Sequence, residues 1–506
     1  MRDEIELKLT IPRRQAKWLR ERLPLRNVKA MGPDSHRLVS VYFDTPDLDL
    51  RRRGVGLRVR HVDGQRLQTI KCDGDSPFGR FECEEQIARD RPDLTCVAEA
   101  GLRALFADIG APRRLKPLFA TKIDRTAWQL EPDGAAIECA LDRGTIRAGG
   151  RRLPVREVEL ELKAGEPAAL FDTATALRRN IPLRITWETK GQRGYALAAG
   201  FVPEPRSWKA PRLCKKMAVR DALGAIVDSC VNQIAANEAS VRHQDNAEGV
   251  HKMRVGVRRV RSALSTFRRA LPGAGRLMFE DDLRWLQNVL GHAREWDVLR
   301  ESGLDPLTRE TQGDGDIGRL KDATGMQRAA AYKRLHAALD SPRYTTLFLT
   351  MMRWRHELPS ERGGRLEARI RAYARRELRR RTRNVGKLGR RLGKLSAEEL
   401  HRLRIRVKKL RYAAEFFRDL FPAKRVDRHL TRLTALQDVL GDLNDARTAP
   451  RLVDNLRRKR VSTRADPRFA RGGGLVEGWM VARAGADRAL IKRRWATYEK
   501  GEAPWL

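Results

Sequence analysis

The sequence predicts two differently built regions: a strand-rich α+β part over residues 1–200 and an all-α part over 213–506, joined by a proline-bearing linker at 201–212. Three observations predict this. In the first part, short segments alternate apolar and polar residues, with turn residues between them. The second part carries long segments of helical period. It also repeats itself at an offset of 150 residues, the mark of a duplicated unit.

At 506 residues the chain suits two to four domains, and with 41% hydrophobic residues it can build real cores. Its 104 Lys and Arg against 65 Asp and Glu leave a net charge of +39. Residues 1–200 hold 37 cations and 29 acids, a net +8; residues 201–506 hold 67 and 36, a net +31. The C-terminal part therefore attracts a polyanion: nucleic acid, inorganic polyphosphate or an anionic membrane surface. No apolar run reaches the roughly 18 residues of a membrane span, and the charged N-terminus lacks the apolar stretch of a signal peptide. Six cysteines without a CxxC pair predict a reduced, cytoplasmic protein with neither a disulfide framework nor a zinc site.

Along the first part, EIELKLT places Glu4, Glu6 and Lys8 on one strand face and Ile5, Leu7 and Leu9 on the other. LVSVYFDT, VGLRVRHV, RLQTIKC, RFECEEQI, AAIECALD and REVELELK follow as further strands, with VDGQ, CDGDSPFG, EPDG and AGG as turns. Helices are expected near 12–23, 93–109 and 167–179. Strand after strand has one charged and one apolar face: Arg58 and Arg60; Lys71; Arg80, Glu82 and Glu84; Arg125; Asp142; Glu157, Glu159, Glu161 and Lys163. Lys190 follows in ETKGQRGY. If the sheet closes, the charged faces line an interior channel.

In the second part, HKMRVGVRRVRSALSTFRRALP from His251 matches HRLRIRVKKLRYAAEFFRDLFP from His401, and LQNVLG from Leu286 matches LQDVLG from Leu436. The repeats span about 213–300 and 363–450. On a helix His251, Arg254, Arg258 and Arg261 form one stripe beside an apolar stripe of Met253, Val257, Val260, Leu264 and Phe267. The second copy sets His401, Arg404, Lys408 and Arg411 beside Leu403, Val407, Leu410 and Phe417. Four cations within about 15 Å repel one another unless an anion lies among them. The competing reading pairs the stripe with Asp438, Asp442 and Asp445, or leaves it solvated. A histidine crowded by arginines is expected to have a lowered pKa until an anion binds. The Arg-rich run 369–391 has a near-neutral counterpart at 219–241, so it reads as added electrostatic capture or as a solvated face.

This duplicated His–Arg stripe in a very basic helical region resembles the CHAD domain, over about 213–500. The resemblance implies a helical bundle that binds inorganic polyphosphate. It carries over to His251, Lys252, Arg254, Arg258, Arg259 and Arg261, and to His401, Arg404, Arg406, Lys408, Lys409 and Arg411. Gly256 departs from the pattern where the second copy has Arg406.

The charged-face strands of 1–200, opening with Glu-x-Glu-x-Lys, resemble the CYTH superfamily of triphosphate tunnel metalloenzymes. That resemblance implies a closed antiparallel β-tunnel with flanking helices, ahead of the duplicated helical bundle. It implies hydrolysis of tripolyphosphate with Mg²⁺ or Mn²⁺. Expected metal ligands are Glu4, Glu6, Asp142, Glu157, Glu159 and Glu161, with spacing unable to choose among the last three. Lys8, Arg58, Arg60, Lys71, Arg80, Arg125 and Lys190 are expected on the phosphates, and Glu4, Glu6, Lys8 and Lys190 in catalysis. The chemistry is coherent: guanidinium forks and ammonium groups suit phosphate oxygens, and facing carboxylates are compatible with a polyanion only across a hard divalent ion. A class IV-type adenylate cyclase, a thiamine triphosphatase and a non-catalytic polyphosphate or nucleic-acid binder are the alternatives. The expected location is the cytoplasm, with polyphosphate granules implied by the second region.

Overall fold

In a computed structural model the described residues are 4–506 apart from 22, 24, 26, 27, 77–78, 202–203, 272–277, 359–363, 460–466 and 486; side chains are further undescribed at 4, 73–81, 442–447, 459, 483–485 and 487–488. The chain packs as two compact units. One takes Met1–Pro205 with Ala235–His243 and Asp340–Glu357; the other takes Arg206–Ile234, Gln244–Leu339 and Leu358–Leu506.

The first unit is built on one antiparallel sheet. Its strands are β1 (Glu4–Thr10), β2 (Lys29–Asp44), β3 (Val55–Val62), β4 (Gln65–Ser76), β5 (Gly79–Gln86), β6 (Lys116–Glu131), β7 (Ala136–Ala148), β8 (Arg151–Ala164) and the short β9 (Arg184–Ile185). The order is β5-β4-β3-β2-β6-β7-β8-β1-β9, and β1 also pairs with β5, Ile5 opposite Gly79. That extra pairing closes the barrel. Between β3 and β4, Val62 faces Gln65 across Asp63-Gly64, both at positive φ. This is the two-residue Asp-Gly hairpin whose twist suits the flanking strands.

Leu7, Leu9, Ile137, Cys139, Leu141, Val158 and Leu160 are buried, yet the cavity inside the barrel is lined chiefly by charged residues. The apolar faces therefore point outward, against helices. Helix α1 (Arg13–Glu21) packs on β7 and β8, and α5 (Pro167–Asn180) on β8; α2 (Asp49–Arg52), α3 (Ala100–Asp108) and α4 (Ala111–Arg114) lie between them in the chain. Leu102 and Phe106 of α3 join Val55, Leu57, Val59 and Ile70 in one apolar cluster. Helix α6 (Lys190–Ala199) packs on β6, β7 and β8, and its first turn lines the cavity. Gly194 permits this approach, because a Cβ there would lie 2.0 Å from the Phe119 ring.

The helical region runs α7 (Val219–Gln244), α8 (Ala247–Phe267), α9 (Glu280–Val298), α10 (Asp305–Glu310), α11 (Gly315–Asp340), α12 (Pro342–His356), α13 (Ile370–Gly389), α14 (Ala397–Phe416), α15 (Ala423–Lys459), α16 (Pro467–Gly485) and α17 (Asp487–Glu499). Helices α7, α8 and α9 answer to α13, α14 and α15 as the repeat predicts. Both apolar stripes are core: Met253, Val257, Val260, Leu264, Phe267, Leu403, Val407, Leu410 and Phe417 are all buried. Phe267 stacks on Tyr373 at 5.4 Å and meets Phe417 edge-on at 5.7 Å.

Two departures from chain order stand out. Residues 235–243 of α7 and the whole of α12 pack with the sheet unit, α12 lying on α5 with His356 stacked on Phe171 at 5.6 Å. The proline-bearing segment is also pinned rather than loose from 206 on: Trp208 meets Phe416 edge-on at 5.7 Å and lies under the Arg259 guanidinium at 4.3 Å.

Candidate active site

Strand period and register place the charges. Cα pairing sets Arg125 beside Asp142 and Asp142 beside Glu157, while Glu157, Glu159 and Glu161 share one face of β8. Asp142 and Glu157 are fully buried and Glu159 nearly so, and one oxygen from each lies within 4.8 Å of the others. Lys190, Arg125 and Arg193 answer these three acids, with Lys8 a fourth cation 3.3 Å from Glu159. Lys190 Nζ lies 2.6 Å from Asp142 Oδ2 and 2.8 Å from Glu159 Oε1, and touches Glu157. Arg125 grips Asp142 with two bonds of 2.8 Å and also reaches Glu159. Arg193, one turn beyond Lys190, binds Glu157.

Burial alone would raise the Asp142 carboxyl, but Lys190 and then Arg125 hold it below the usual range. Glu159 is held well below its ordinary value for the same reasons, with Lys8 adding to Lys190 and Arg125 against burial. Burial opposes the charge on Lys190, yet Asp142, Glu157 and Glu159 raise its pKa. All three groups are therefore ionised at neutral pH.

A second row of acids crosses β1, β8 and β7, where Cα pairing sets Glu6 beside Glu161 and Glu161 beside Glu138. All three line a cavity of about 590 Å³. Their described cation contacts are Lys8 to Glu6, Lys163 to Glu161 at 2.6 Å and to Glu138 at 3.9 Å, and Arg125 to Glu138 at 3.8 Å. Arg58, Arg60 and Lys71 line the same cavity from β3 and β4. Lys71 meets Glu82 at 2.5 Å, Arg58 approaches Glu82 at 3.8 Å and Tyr42 OH at 3.5 Å, and Arg60 donates to Ser40 Oγ at 3.3 Å. Burial, then Arg58 and Arg125, push the Arg60 pKa down to about 10. Tyr42 and Glu84 oppose that shift without cancelling it.

The cavity thus brings together Glu6, Lys8, Arg58, Arg60, Lys71, Arg125, Asp142, Glu159, Glu161 and Lys190 from the expected set. Glu157 is set behind it, fully buried. The side chains of Glu4 and Arg80 lie outside the described residues. Sequence reasoning missed Glu138, Arg51 and Arg193. Glu138 alternates with Asp142 along β7, and Arg193 sits three residues after Lys190 on one helix face; both signals were readable. Nothing in the spacing marks Arg51, a buried arginine of α2 that also lines the cavity.

In the helical unit the two stripes meet around one cavity of about 630 Å³. Arg254, Arg258 and Arg261 come from α8 and His401, Arg404, Lys408 and Lys409 from α14, joined by Arg268 and Arg294. Eight Lys and Arg line it against Glu280 and Glu295 alone among the acids described. Arg258 donates to Tyr412 OH at 2.6 Å. Other members of the expected set are placed elsewhere. Lys252 meets Glu248 and Ser207, each at 2.9 Å. Arg259 is buried against Glu415 at 2.5 Å. Arg406 donates to the Asn384 carbonyl at 2.9 Å, and Arg411 meets Gln437 and Glu415. His251 is not among the lining residues; burial and then Arg294 push its pKa down to about 4, in the direction expected. The side chains of Asp442 and Asp445 lie outside the described residues.

Comparison with known proteins gives two family matches, a CYTH domain over residues 2–195 and a CHAD domain over residues 225–454. An inorganic triphosphatase of Haemophilus influenzae is 31% identical over 235 residues, 43% of this chain and 64% of that protein, so the match spans less than two thirds of that relative. An uncharacterized protein of Mycobacterium tuberculosis is 27% identical over 454 residues, 83% of this chain and 82% of its own length. The crystal structure of a CHAD domain from the plant Ricinus communis superposes with a TM-score of 0.52 at 31% identity, over 60% of this chain and 98% of that one.

Proposed function

The chain belongs to the CYTH family through residues 2–195 and to the CHAD family through residues 225–454, and from that premise we propose a metal-dependent inorganic triphosphatase with a polyphosphate-binding helical region. The reaction is hydrolysis of tripolyphosphate to pyrophosphate and phosphate. One observation carries the reading: a closed barrel whose interior sets Arg58, Arg60 and Lys71 in the same cavity as the Glu6–Glu161–Glu138 row. The cations match a linear polyanion, and the acids match a hard divalent ion held against it.

The acids divide by role. Asp142, Glu157 and Glu159 are already neutralised by Lys190, Arg125 and Arg193, and an ion could enter their midst only by displacing the Lys190 ammonium. Glu6 and Glu161 open on the cavity, each with one lysine contact among the described residues, so they fit Mg²⁺ or Mn²⁺, with Glu4 two positions earlier on β1. Such an ion, when bound, polarises phosphoryl oxygens. Arg58, Arg60 and Lys71 hold the chain of phosphates, while Lys8 and Lys190 bring fixed positive charge to where negative charge builds up during in-line attack.

The test is phosphate release from tripolyphosphate, ATP and thiamine triphosphate with Mg²⁺ and with chelator. Tripolyphosphate should be cleaved fastest, and chelator should abolish release. Preferential thiamine triphosphate cleavage, or cyclisation of ATP, would assign the same cavity to another substrate. In the helical unit, eight cations against two acids gathered in one cavity of about 630 Å³ suit a thin, flexible polyanion such as long-chain polyphosphate better than a rigid duplex, whose backbone is held along an open surface. A cytoplasmic location near polyphosphate stores accords with that ligand. Among the described residues no helix is long and apolar enough to cross a membrane.

A further inference from the structure

Lys190 is the first residue of α6, and the stretch before it, 184–189, decides where its ammonium points. On its inner side this stretch is held by a short ladder, with Thr10 Oγ1 donating to the Arg184 carbonyl and accepting from Arg184 Nε, each at 3.3 Å. β9 is two residues long and pairs with β1 only at Leu9–Ile185 and Thr10–Arg184, followed by one bond from Thr186 N to the Lys8 carbonyl at 3.0 Å. A strand that short is marginal by itself. Its outer side meets α12 and the last turns of α7, both grouped with the sheet in one compact unit.

There the contacts are specific. Ile185 N, an edge-strand amide with no further strand to pair with, donates to Thr345 Oγ1 at 3.1 Å. Trp187 Nε1 donates to Tyr344 OH at 3.3 Å, and Tyr344 OH donates in turn to Glu238. Trp187 also meets the Phe348 ring edge-on at 5.1 Å. Arg184 and Arg242 share Asp340 at 3.0 and 2.9 Å, and His243 meets Glu188 at 3.2 Å, two residues before the lysine. Thr189 then caps α6, accepting from Gln192 N at 3.1 Å. Thr345 and Tyr344 are fully buried, so these are fixed packing partners and not surface pairs.

We infer that Thr345, Tyr344 and Trp187 are positioning residues for Lys190: helical segments distant in sequence supply the second wall that holds the lysine-bearing stretch in register with the tunnel carboxylates. The catalytic consequence rests on the triphosphatase reading; the positioning does not. Arg58, Arg60 and Lys71 stand on β3 and β4, away from this wall, so substrate capture should be spared while turnover suffers.

The experiment uses the full chain with Thr345→Val/Tyr344→Phe, a pair of near-isosteric changes. Two readouts are taken: reductive methylation of Lys190 followed by mass spectrometry in the absence of substrate and metal, and kcat and KM for tripolyphosphate with Mg²⁺. The variant should expose Lys190 to methylation about 10-fold faster, and should lower kcat about 10- to 100-fold with KM within about twofold, the penalty of a displaced catalytic group. Thr345→Ser, which keeps the hydroxyl, should behave as the parent. Unchanged methylation overturns the inference whatever happens to kcat, and so does unchanged kcat in an active enzyme. Faster methylation in a parent chain that cleaves no triphosphate leaves the positioning standing and sinks the triphosphatase reading. Should the double variant unfold, Thr345→Val against Thr345→Ser decides by the same two readouts.

Discussion

At Lys408 a half-buried ammonium is pressed by Arg258, Arg404, Arg254 and Arg411; burial first, then these neighbours, push its pKa down to about 6. In an unfolded chain a lysine titrates near 10.4. The empty fold therefore disfavours the charged form, and stability is lost as pH falls from the ordinary lysine range toward 6. A bound polyanion reverses the preference, so binding takes up a proton between those limits and polyphosphate affinity should fall as pH rises above 6. Calorimetry at pH 7.5 in two buffers of different ionisation enthalpy should report uptake of about one proton per site. Lys408→Arg should remove it; an unchanged uptake would assign the proton elsewhere. His251, lowered to about 4 from 6.5, titrates in a separate and more acidic window. Lys190 makes the converse case. Lys190→Met leaves three buried carboxylates against Arg125, Arg193 and the more distant Lys8, which is 3.3 Å from Glu159, and should cost about 3–5 kcal/mol. Thermal unfolding in chelator should show that loss, and millimolar Mg²⁺ should recover part of it by entering the vacated position. A variant that melts like the parent would mean that the lysine does not neutralise the cluster. These residues differ in how far the sequence announces them. Asp142, Glu159 and Lys190 were readable from strand alternation and resemblance. That Glu157 faces Arg193 instead of the cavity depends on where α6 docks, which spacing does not encode.

At the scale of elements, duplication was legible and the differences between copies were not. Both apolar stripes of α8 and α14 are core because a 3.6-residue period fixes one face of a helix. Gly256 against Arg406 has its reason in packing: a Cβ at Gly256 would lie 2.7 Å from Ile234 Cγ1, so α8 approaches α7 where α14 leaves room for an exposed arginine. Gly256→Ala should cost about 1–3 kcal/mol through overpacking, whereas Arg406→Ala should stay within about 0.5 kcal/mol. Chemical denaturation of both variants checks the contrast, and equal effects would refute the close approach. The Arg-rich run 369–391 divides similarly. Arg375 and Arg379 donate to the Trp505 carbonyl, and Arg381 is buried on Glu377 and Thr266. Arg380 also binds Glu377 and Arg376 lies over the Tyr373 ring at 5.6 Å, so the run reads partly as structure and partly as capture.

For the molecule as a whole, the charge of +31 over 201–506 predicts polyphosphate binding that weakens steeply with salt, as counterions released on binding return. Arg254→Ala/Arg258→Ala should weaken binding and flatten the salt slope with little change in melting temperature, relief of like-charge repulsion offsetting the lost Arg258–Tyr412 bond. A slope equal to the parent's would exclude these two arginines from the site. The strand-then-helix order was legible end to end, because each region's period is sustained over many residues. The claim of residues 235–243 and 340–357 on the sheet unit was not, because partner choice between distant segments leaves no periodic trace.

Closure of the barrel has a consequence of its own. Among the described residues β7 and β8 are joined along Ala136–Ala148, thirteen Cα pairs, whereas β1 and β5 are joined at two, Glu4–Arg80 and Ile5–Gly79. Among the described residues the barrel is therefore closed at Ile5–Gly79 by far fewer ladder pairs than hold β7 to β8, and local opening there disturbs less of the sheet. Amide exchange should therefore run faster at Ile5 than at Leu141 or Val158, and a filled lumen should slow it there first.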